Sequence, residues 1–158
     1  MLCIKELCVS FRKAMDDAWE NGDFIKCSTF SKFPQDCCDM TCDLLGCFLA
    51  ENGIYTYQIN GQHFSDSLRR HSWLVTENGV VIDITGDQFN GKGLFVDYVD
   101  PVYVDTVESF VHKDFCKRRL KEENTIFADE KYFVGFGNTP NYRQKSLKDL
   151  YDIIKMFL

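Results

Sequence analysis

The sequence lacks the features that mark several functional classes. It contains no run of about 20 apolar residues, so no segment is predicted to span a bilayer. It has no basic excess, because 18 Lys and Arg stand against 24 Asp and Glu and the formal net charge is −6. That balance argues against a sequence-independent nucleic-acid binder and gives no reason to expect a membrane surface as partner. Without internal repeats, low-complexity tracts or linkers, the 158 residues are predicted to form one domain, 1–158.

The beginning of the sequence also lacks the pattern of an export signal. Charges at Lys5 and Glu6 interrupt its apolar residues before a hydrophobic block can form. We therefore expect a cytoplasmic protein with reduced thiols. The eight cysteines are an even number, which alone would suggest disulfides, but a chain of this length can bury a core without them. Most of the cysteines are expected to pack as small apolar side chains.

What the sequence does contain is a series of helical and strand patterns. Apolar residues three and four apart indicate helices, β-branched and aromatic runs indicate strands, and a turn ending at Gly79 indicates a hairpin. Asp36 and Ser146 are the predicted N-caps of two helices. In chain order, the predicted elements are a helix over 1–19, a helix over 37–51, a strand over 54–59, a hairpin over 71–85, strands over 95–99 and 101–105, a short polar helix over 112–124 and a helix over 146–158. This order predicts an α+β fold, with helices packed on one antiparallel sheet.

Four cysteines cluster within eleven residues, at Cys37, Cys38, Cys42 and Cys47. A structural zinc site usually takes pairs of ligands from turns, whereas these four fall on one predicted helix. Because one helix cannot wrap four ligands round an ion, no metal site is predicted here. Cys38 has a different possible use, since it lies in the first turn of that helix, where unpaired N–H groups lower the pKa of a thiol.

A reactive thiol needs a base, and the candidates are His63, His71 and His112. His71 begins the predicted hairpin and Asp83 ends it. With a turn of odd length, His71, Trp73 and Asp83 fall on one face, and Asp83 lies diagonally close enough to accept the ring N–H of His71. His63 and His112 are predicted to be exposed to solvent. Upstream Cys38 together with this pair has the composition of a catalytic triad.

These residues resemble the core of transglutaminase-like cysteine enzymes, which belong to the papain-like superfamily. The resemblance rests on Cys38, then His71 in an H-x-W stretch, then Asp83 in a hydrophobic-D-x-T stretch. The segments FPQDCCDMTCDLL and HSWLVTENGVVIDITGDQF also look like those of small bacterial proteins built on that core. The resemblance covers residues 33–90 and implies a papain-like fold, in which the Cys begins a helix packed on an antiparallel sheet and the His and Asp lie on neighbouring strands.

The same resemblance implies an acyl hydrolase or transferase that acts on peptide or side-chain amide bonds without a cofactor. Cys38 would be the nucleophile, His71 the proton carrier and Asp83 the residue that orients His71. The expected partner is a peptide or protein substrate. Two alternatives stay open: a papain-like binding module without activity, and a domain stabilised by zinc.

The sequence departs from papain at the oxyanion donor and at the nucleophile. Papain carries a Gln six residues before its Cys, and Lys32 occupies that position here. Gln35 is the nearest substitute, and the backbone N–H of Cys38 is the other candidate. The neighbouring Cys37 also leaves two thiols to choose from, and we assign Cys38 because its spacing to the apolar residues that follow suits the start of the helix.

Two further residues are candidates for the cleft. Trp73 shares the hairpin face with His71, and Gln88 follows the hairpin in a predicted loop beside Asp87. Each also has an ordinary structural role open to it, Trp73 as a core aromatic and Gln88 as a loop residue.

Overall fold

The structure is a computed structural model that describes residues 3–66, 68–116, 130–133 and 142–158. Four α-helices, five strands and one 3₁₀ turn are described. In chain order they are α1 (Ile4–Glu20), α2 (Cys38–Glu51), β1 (Thr56–Gln62), β2 (Arg70–Thr76), β3 (Val81–Asp83), the 3₁₀ turn (Gly86–Phe89), β4 (Tyr103–Asp105), α3 (Phe110–Cys116), β5 (Glu130–Phe133) and α4 (Tyr142–Lys155). None of the helices in these ranges combines the length and the apolar character needed to cross a membrane.

The five strands form one antiparallel sheet in the order β4-β3-β2-β1-β5. The predicted α+β class is therefore confirmed. At the centre of the sheet, Gly61 of β1 lies opposite His71 of β2, and Ile59 lies opposite Trp73. His71 therefore lies on an interior strand, β2, which pairs with β1 on one side and with β3 on the other.

The β2–β3 hairpin has the predicted three-residue turn. The Thr76 N–H donates to the Val80 carbonyl at 3.0 Å, and Gly79 has a φ of 79°. Leu74 lies opposite Ile82 in the ladder. This register places His71 and Asp83 on the same face and two residues out of step, as the odd turn length predicted.

Hydrophobic side chains cover both faces of the sheet. The first cluster joins the Leu74 and Ile82 face to the apolar sides of α1, α2 and α4. The second cluster covers the opposite face, which carries Trp73, and it consists of Ile59, Trp73, Val81, Phe89, Val99, Val111 and Phe115. The face of the hairpin that carries His71 and Asp83 is therefore shielded mainly by α3 and by the segment after β3, whereas most of α2 packs on the opposite face.

The predicted strand over 95–99 is wrong. Val96 and Tyr98 are exposed, and this segment is held by a side chain instead of a strand partner. Asn90 donates from Nδ2 to the Val99 carbonyl at 2.9 Å, and its Oδ1 accepts from the Val99 N–H at 2.9 Å. The aromatic and β-branched residues that suggested a strand lie in a loop because the amide of Asn90 satisfies the backbone groups there.

Several helix boundaries also differ from the prediction. The N-cap of α2 is Cys37 and not Asp36, which has a φ of 56°. The last helix begins at Tyr142, so Ser146 lies inside it, although the predicted apolar stripe of that helix is buried in the first cluster. The predicted helix over 112–124 is α3 as far as Cys116, and the rest of that prediction lies outside the described residues.

A buried arginine ties α1 to the segment that follows β3. The guanidinium of Arg12 donates to the Ile84 carbonyl at 2.6 Å and to the Pro101 carbonyl at 3.2 Å. It also makes two hydrogen bonds to the carboxylate of Asp87, at 2.9 and 2.8 Å. Asp87 is thus engaged in the scaffold and does not line the cleft. These hydrogen bonds hold Ile84 and Asp87, which follow Asp83 in the chain, against α1.

Gly61 should be essential for packing behind the site. A Cβ at this position would lie 2.9 Å from the Trp73 ring and 2.9 Å from the Cβ of Phe115. Overpacking costs about 1–3 kcal/mol, which exceeds the ~0.5–1 kcal/mol that Ala gains over Gly in a strand. We expect Gly61→Ala to lower the free energy of unfolding by about 1 kcal/mol in urea denaturation. An unchanged or higher urea midpoint would contradict this packing.

Candidate active site

His71 and Asp83 make the contact that the hairpin predicted. Nε2 of His71 lies 2.6 Å from Oδ2 of Asp83, and both side chains are buried. Because a carboxylate only accepts hydrogen bonds, Nε2 carries the proton and donates it. This leaves Nδ1 of His71 to face the remainder of the site.

Asp83 accepts more hydrogen bonds than the sequence suggested. Oδ2 accepts from Nε2 of His112 at 3.1 Å as well as from His71, and Oδ1 accepts from the backbone N–H of Thr85 at 2.9 Å and from its hydroxyl at 3.3 Å. Burial by itself would raise the pKa of Asp83. The charge of His71 and the hydrogen bonds from both imidazoles outweigh it and hold the pKa of Asp83 well below its usual range. Asp83 is therefore a buried carboxylate that stays ionised.

Cys38 is the first residue of α2 and meets His71 at the start of β2. Its thiol interacts with the imidazole of His71 and with the backbone of Ser72. Burial acts to raise the pKa of Cys38, but the hydrogen bond and the positive charge of His71, helped by Ser72, lower it below the ordinary thiol value. The half-buried Cys38 is thus the thiol that the surroundings favour as a thiolate.

His71 shows the complementary change. Burial acts to lower the pKa of its imidazole, but the charge and hydrogen bond of Asp83, together with Cys38, raise that pKa to about 10. With the pKa of Cys38 lowered and that of His71 raised, the site favours a thiolate–imidazolium pair at neutral pH. Because Cys38 and His71 interact, the pKa values seen in a titration are properties of the pair and not of either residue alone.

The neighbouring Cys37 is in a different environment. It is 1 % exposed, its Sγ lies 3.3 Å from the Pro34 carbonyl, and the Thr41 hydroxyl lies 3.6 Å from the same sulfur. Burial raises the pKa of Cys37 to about 12, although the hydrogen bond from Thr41 lowers it in part. Of the two adjacent thiols, Cys38 is therefore the one placed and poised for reaction with His71.

Gln88 also reaches His71, as a cleft residue should. Its Nε2 lies 3.2 Å from Nδ1 of His71 and donates to the Thr85 carbonyl at 3.0 Å. Its Oε1 accepts from the backbone N–H of Asp36 at 3.4 Å. These two backbone partners fix which end of the amide is the donor, so an N–H of Gln88 faces Nδ1 beside the thiol.

The other two cleft candidates have different positions. Trp73 is buried in the second cluster, where its ring centroid lies 5.7 Å from that of His71 and 4.9 Å from that of His112. It forms a wall behind the imidazoles. Among the described residues, the side chain of Gln35 makes no hydrogen bond to Cys38, and its buried Oε1 has no partner. The structure therefore favours Gln88 over Gln35 as a side-chain donor.

The predictions for His63 and His112 are wrong, because both imidazoles are buried. Nδ1 of His112 lies 2.8 Å from the hydroxyl of Ser109 and accepts from the Ser109 N–H at 3.3 Å. His63 has a similar arrangement with Ser65. One signal in the sequence could have revealed His112: Ser109-x-x-His112 has capping-box spacing at the start of α3, with His in the place of Glu.

His71, Asp83 and His112 also form a group whose ligand atoms lie within 4.8 Å of one another, the spacing of a possible metal site. The donor set argues against that use. Because the Ser109 N–H donates to Nδ1 of His112, the proton of the neutral ring is on Nε2, the atom that would have to bind the ion. The 2.6 Å contact between His71 and Asp83 is likewise a hydrogen bond.

The cysteines of α2 are also unsuited to zinc. Burial raises the pKa of Cys42 well above the ordinary value and raises that of Cys47 to about 11. Cys37, Cys42 and Cys47 pack as small apolar groups in the first cluster, and among the described residues no three of the four clustered cysteines lie close enough together to hold an ion.

Two cavities border the site. One of about 250 Å³ touches Asp83 and His112 on the side of α3. The other, of about 260 Å³, lies beside Gln88 and Asp36, which flank the start of α2. Its wall also carries the cationic residues Arg69, Arg70 and Lys92. The second cavity offers space for a ligand next to Gln88.

Comparison with known proteins adds no relative: no protein-family model, no curated protein and no solved structure matches the chain. What the site can do is therefore argued from its own geometry.

Cys38 should react with iodoacetamide at mildly acidic pH, where ordinary thiols are protonated. Its lowered pKa and the support of His71 predict labelling of Cys38 before Cys37, whose pKa is raised to about 12. Brief treatment followed by peptide mapping measures the order, and Cys38→Ser is the control. Preferential labelling of Cys37, or equally slow labelling of all the cysteines, would refute this assignment.

Purified protein should contain well under one equivalent of zinc. Since the thiols of α2 do not converge on one point and His112 offers a proton where an ion would need a lone pair, metal should supply no folding energy. We expect a chelator to leave Tm unchanged, as measured by thermal unfolding with elemental analysis of the same sample. Stoichiometric zinc that leaves together with the fold would overturn this reading.

Proposed function

We propose that this protein is a cysteine-dependent acyl hydrolase or transferase that acts on peptide or side-chain amide bonds. One observation supports this most: His71, whose imidazole interacts with the half-buried thiol of Cys38 at the start of a helix, donates at 2.6 Å to the buried carboxylate of Asp83. Acyl transfer requires a nucleophile, a base and a carboxylate that orients the base, and Cys38, His71 and Asp83 can fill these roles.

The first half of the reaction forms an acyl-enzyme. The Cys38 thiolate attacks the carbonyl carbon of the amide and forms a C–S bond, and the carbonyl oxygen takes the electron pair. His71, as imidazolium, then gives its Nδ1 proton to the leaving amine as the C–N bond breaks. Asp83 remains ionised throughout and keeps Nε2 of His71 protonated, so that Nδ1 is the nitrogen that exchanges the proton.

In the second half, water or an amine attacks the thioester. Neutral His71 accepts the proton of the attacking molecule at Nδ1, the C–S bond breaks, and Cys38 leaves as thiolate. Water gives a carboxylic acid and an amine gives a new amide. The pair of Cys38 and His71 returns to its starting state in both cases.

Two donors support an oxyanion site next to the thiol. As the first residue of α2, Cys38 has a backbone N–H with no acceptor inside the helix. Gln88 supplies the second donor. When His71 is an imidazolium, its Nδ1–H turns to the thiolate and no longer accepts from Gln88, whose N–H is then available to the developing negative charge.

Within the α+β class, we propose that the fold is a papain-like core of the transglutaminase type. The features that support it are a Cys at the start of a helix, a helical layer against an antiparallel sheet, and a His and an Asp on neighbouring strands. A close relation to that core would also favour amides as substrates, in line with the acyl chemistry above.

Turnover of peptide and glutamine-amide acyl donors, with ammonia or amine release measured, tests the function. We expect release by the parent protein, none by Cys38→Ser, and a loss on the order of 10⁴-fold in Asp83→Asn, the size seen where an Asn replaces the orienting Asp of a triad. Added primary amine separates transfer from hydrolysis by its incorporation into product.

The matched control is Asp105→Asn, which removes an exposed carboxylate from the adjacent strand β4. It should retain full turnover. Release that persists in Cys38→Ser would sink the proposal, and a reactive Cys38 with no turnover of either donor class would favour a binding module.

A further inference from the structure

Two imidazoles converge on one oxygen of Asp83. Nε2 of His71 and Nε2 of His112 lie 2.6 and 3.1 Å from Oδ2, whereas Oδ1 is held by Thr85. His112 comes from α3, 29 residues beyond Asp83. The triad of the proposed function uses only the first of these imidazoles, so the second requires an explanation.

The tautomer of His112 is fixed by the start of α3. Its Nδ1 accepts from the backbone N–H of Ser109 at 3.3 Å, and the Ser109 hydroxyl lies 2.8 Å from the same nitrogen. Since Nδ1 is an acceptor, the proton of the neutral ring lies on Nε2 and points at Asp83. The backbone of α3 thereby points the Nε2–H of His112 at the buried carboxylate.

Few other groups near Asp83 could replace the Nε2–H of His112 as a hydrogen-bond donor. Asp83 is 4 % exposed, and its partners are His71, His112 and Thr85. Among the described residues, the titratable groups that face the pair of His71 and Asp83 or its His112 donor are Cys38 and Cys42 from α2, His112 from α3, and Asp100 and Tyr103 across the cavity beside Asp83. His112 is the one among these that donates to the carboxylate without taking part in proton exchange with the thiol.

We propose that His112 is a positioning residue of the site: its Nε2–H, fixed by Ser109, holds Oδ2 of Asp83 and takes up part of the carboxylate charge that would otherwise act on His71 alone. This inference rests on the proposed function, since it assigns His112 a role through Asp83 and His71. It limits how strongly Asp83 stabilises the imidazolium form of His71, and so keeps His71 able to release its Nδ1 proton to a leaving amine.

The sign of one measurement separates this role from simple support of the fold. Removing the His112 donor leaves Oδ2 to His71 alone, so the Asp83–His71 interaction should strengthen and the pKa of His71 should rise. A residue that only kept Asp83 in place would have the opposite effect or none, because a displaced carboxylate supports the imidazolium less. Asp83→Asn, which removes the charge, gives the reference for a fall in the pKa of His71.

The experiment is a titration followed by imidazole ¹⁵N NMR in the Cys38→Ser background, where no reactive thiol is needed. The chain has three histidines, so single substitutions assign their signals. We expect neutral His112 to show the Nε2–H tautomer. We expect His112→Phe, which keeps a ring but excludes water and has no donor, to raise the apparent pKa of His71 by about 0.5 or more. His112→Gln, whose amide N–H can donate, should restore the parent value.

His63→Phe is the matched control. His63 is also buried and also has a serine at Nδ1, and it packs on Phe115, which contacts His71 as well, but it is not among the partners of Asp83. It should leave the pKa of His71 unchanged. A fall or no change in His112→Phe would overturn the proposal, and so would an Nδ1–H tautomer of His112 in the unsubstituted chain, which needs no variant to fold.

The two proposals fail separately. Absence of acyl turnover together with the expected rise in the pKa of His71 would remove the enzymatic function and leave the hydrogen-bond arrangement. Turnover without that rise would keep the enzyme and remove the role of His112.

Discussion

The rest of the site depends on one buried charge, the carboxylate of Asp83. Removing a carboxylate from water costs several kcal/mol, and the protein offsets this with four hydrogen-bond donors, one of which is the imidazolium of His71. The resulting low pKa of Asp83 supplies stability that is present above about pH 4 and is lost as pH falls further. The raised pKa of His71 supplies stability that is complete below about pH 6.5 and is lost as pH rises through about 10. The pair is therefore stabilising across neutral pH.

The donors to Asp83 come from different parts of the chain, and this explains much of the architecture on that face. β2 supplies His71, the start of α3 supplies His112, and the residues directly after β3 supply Thr85. The 3₁₀ turn adds Gln88, and Arg12 holds the same segment from α1. Of these elements, α3 and the 3₁₀ turn are short by themselves. Their polar contacts to Asp83 and to the residues around it hold these elements together.

The position of Cys38 shows how a helix boundary selects between two identical side chains. As N-cap, Cys37 has a non-helical backbone and its sulfur turns to Pro34 and Thr41 in the core. Cys38 is one residue further, where the helix directs its thiol to His71. The difference between an unreactive thiol and a poised one is thus a single position at the start of α2, and burial alone does not decide it.

The sequence by itself determined the local relations in this protein. The odd turn ending at Gly79 and the two-residue period of strands place His71 and Asp83 on one face, and that contact is present. Apolar spacing predicted the helices, and their order with the strands predicted the α+β class. Such features follow from short-range backbone geometry. Only the tertiary structure decided that His112 is buried on Asp83, that Gln88 and not Gln35 meets His71, and that residues 95–99 are a loop. These depend on how separate elements pack, and a buried polar side chain looks the same in the sequence as an exposed one until its partners are in place.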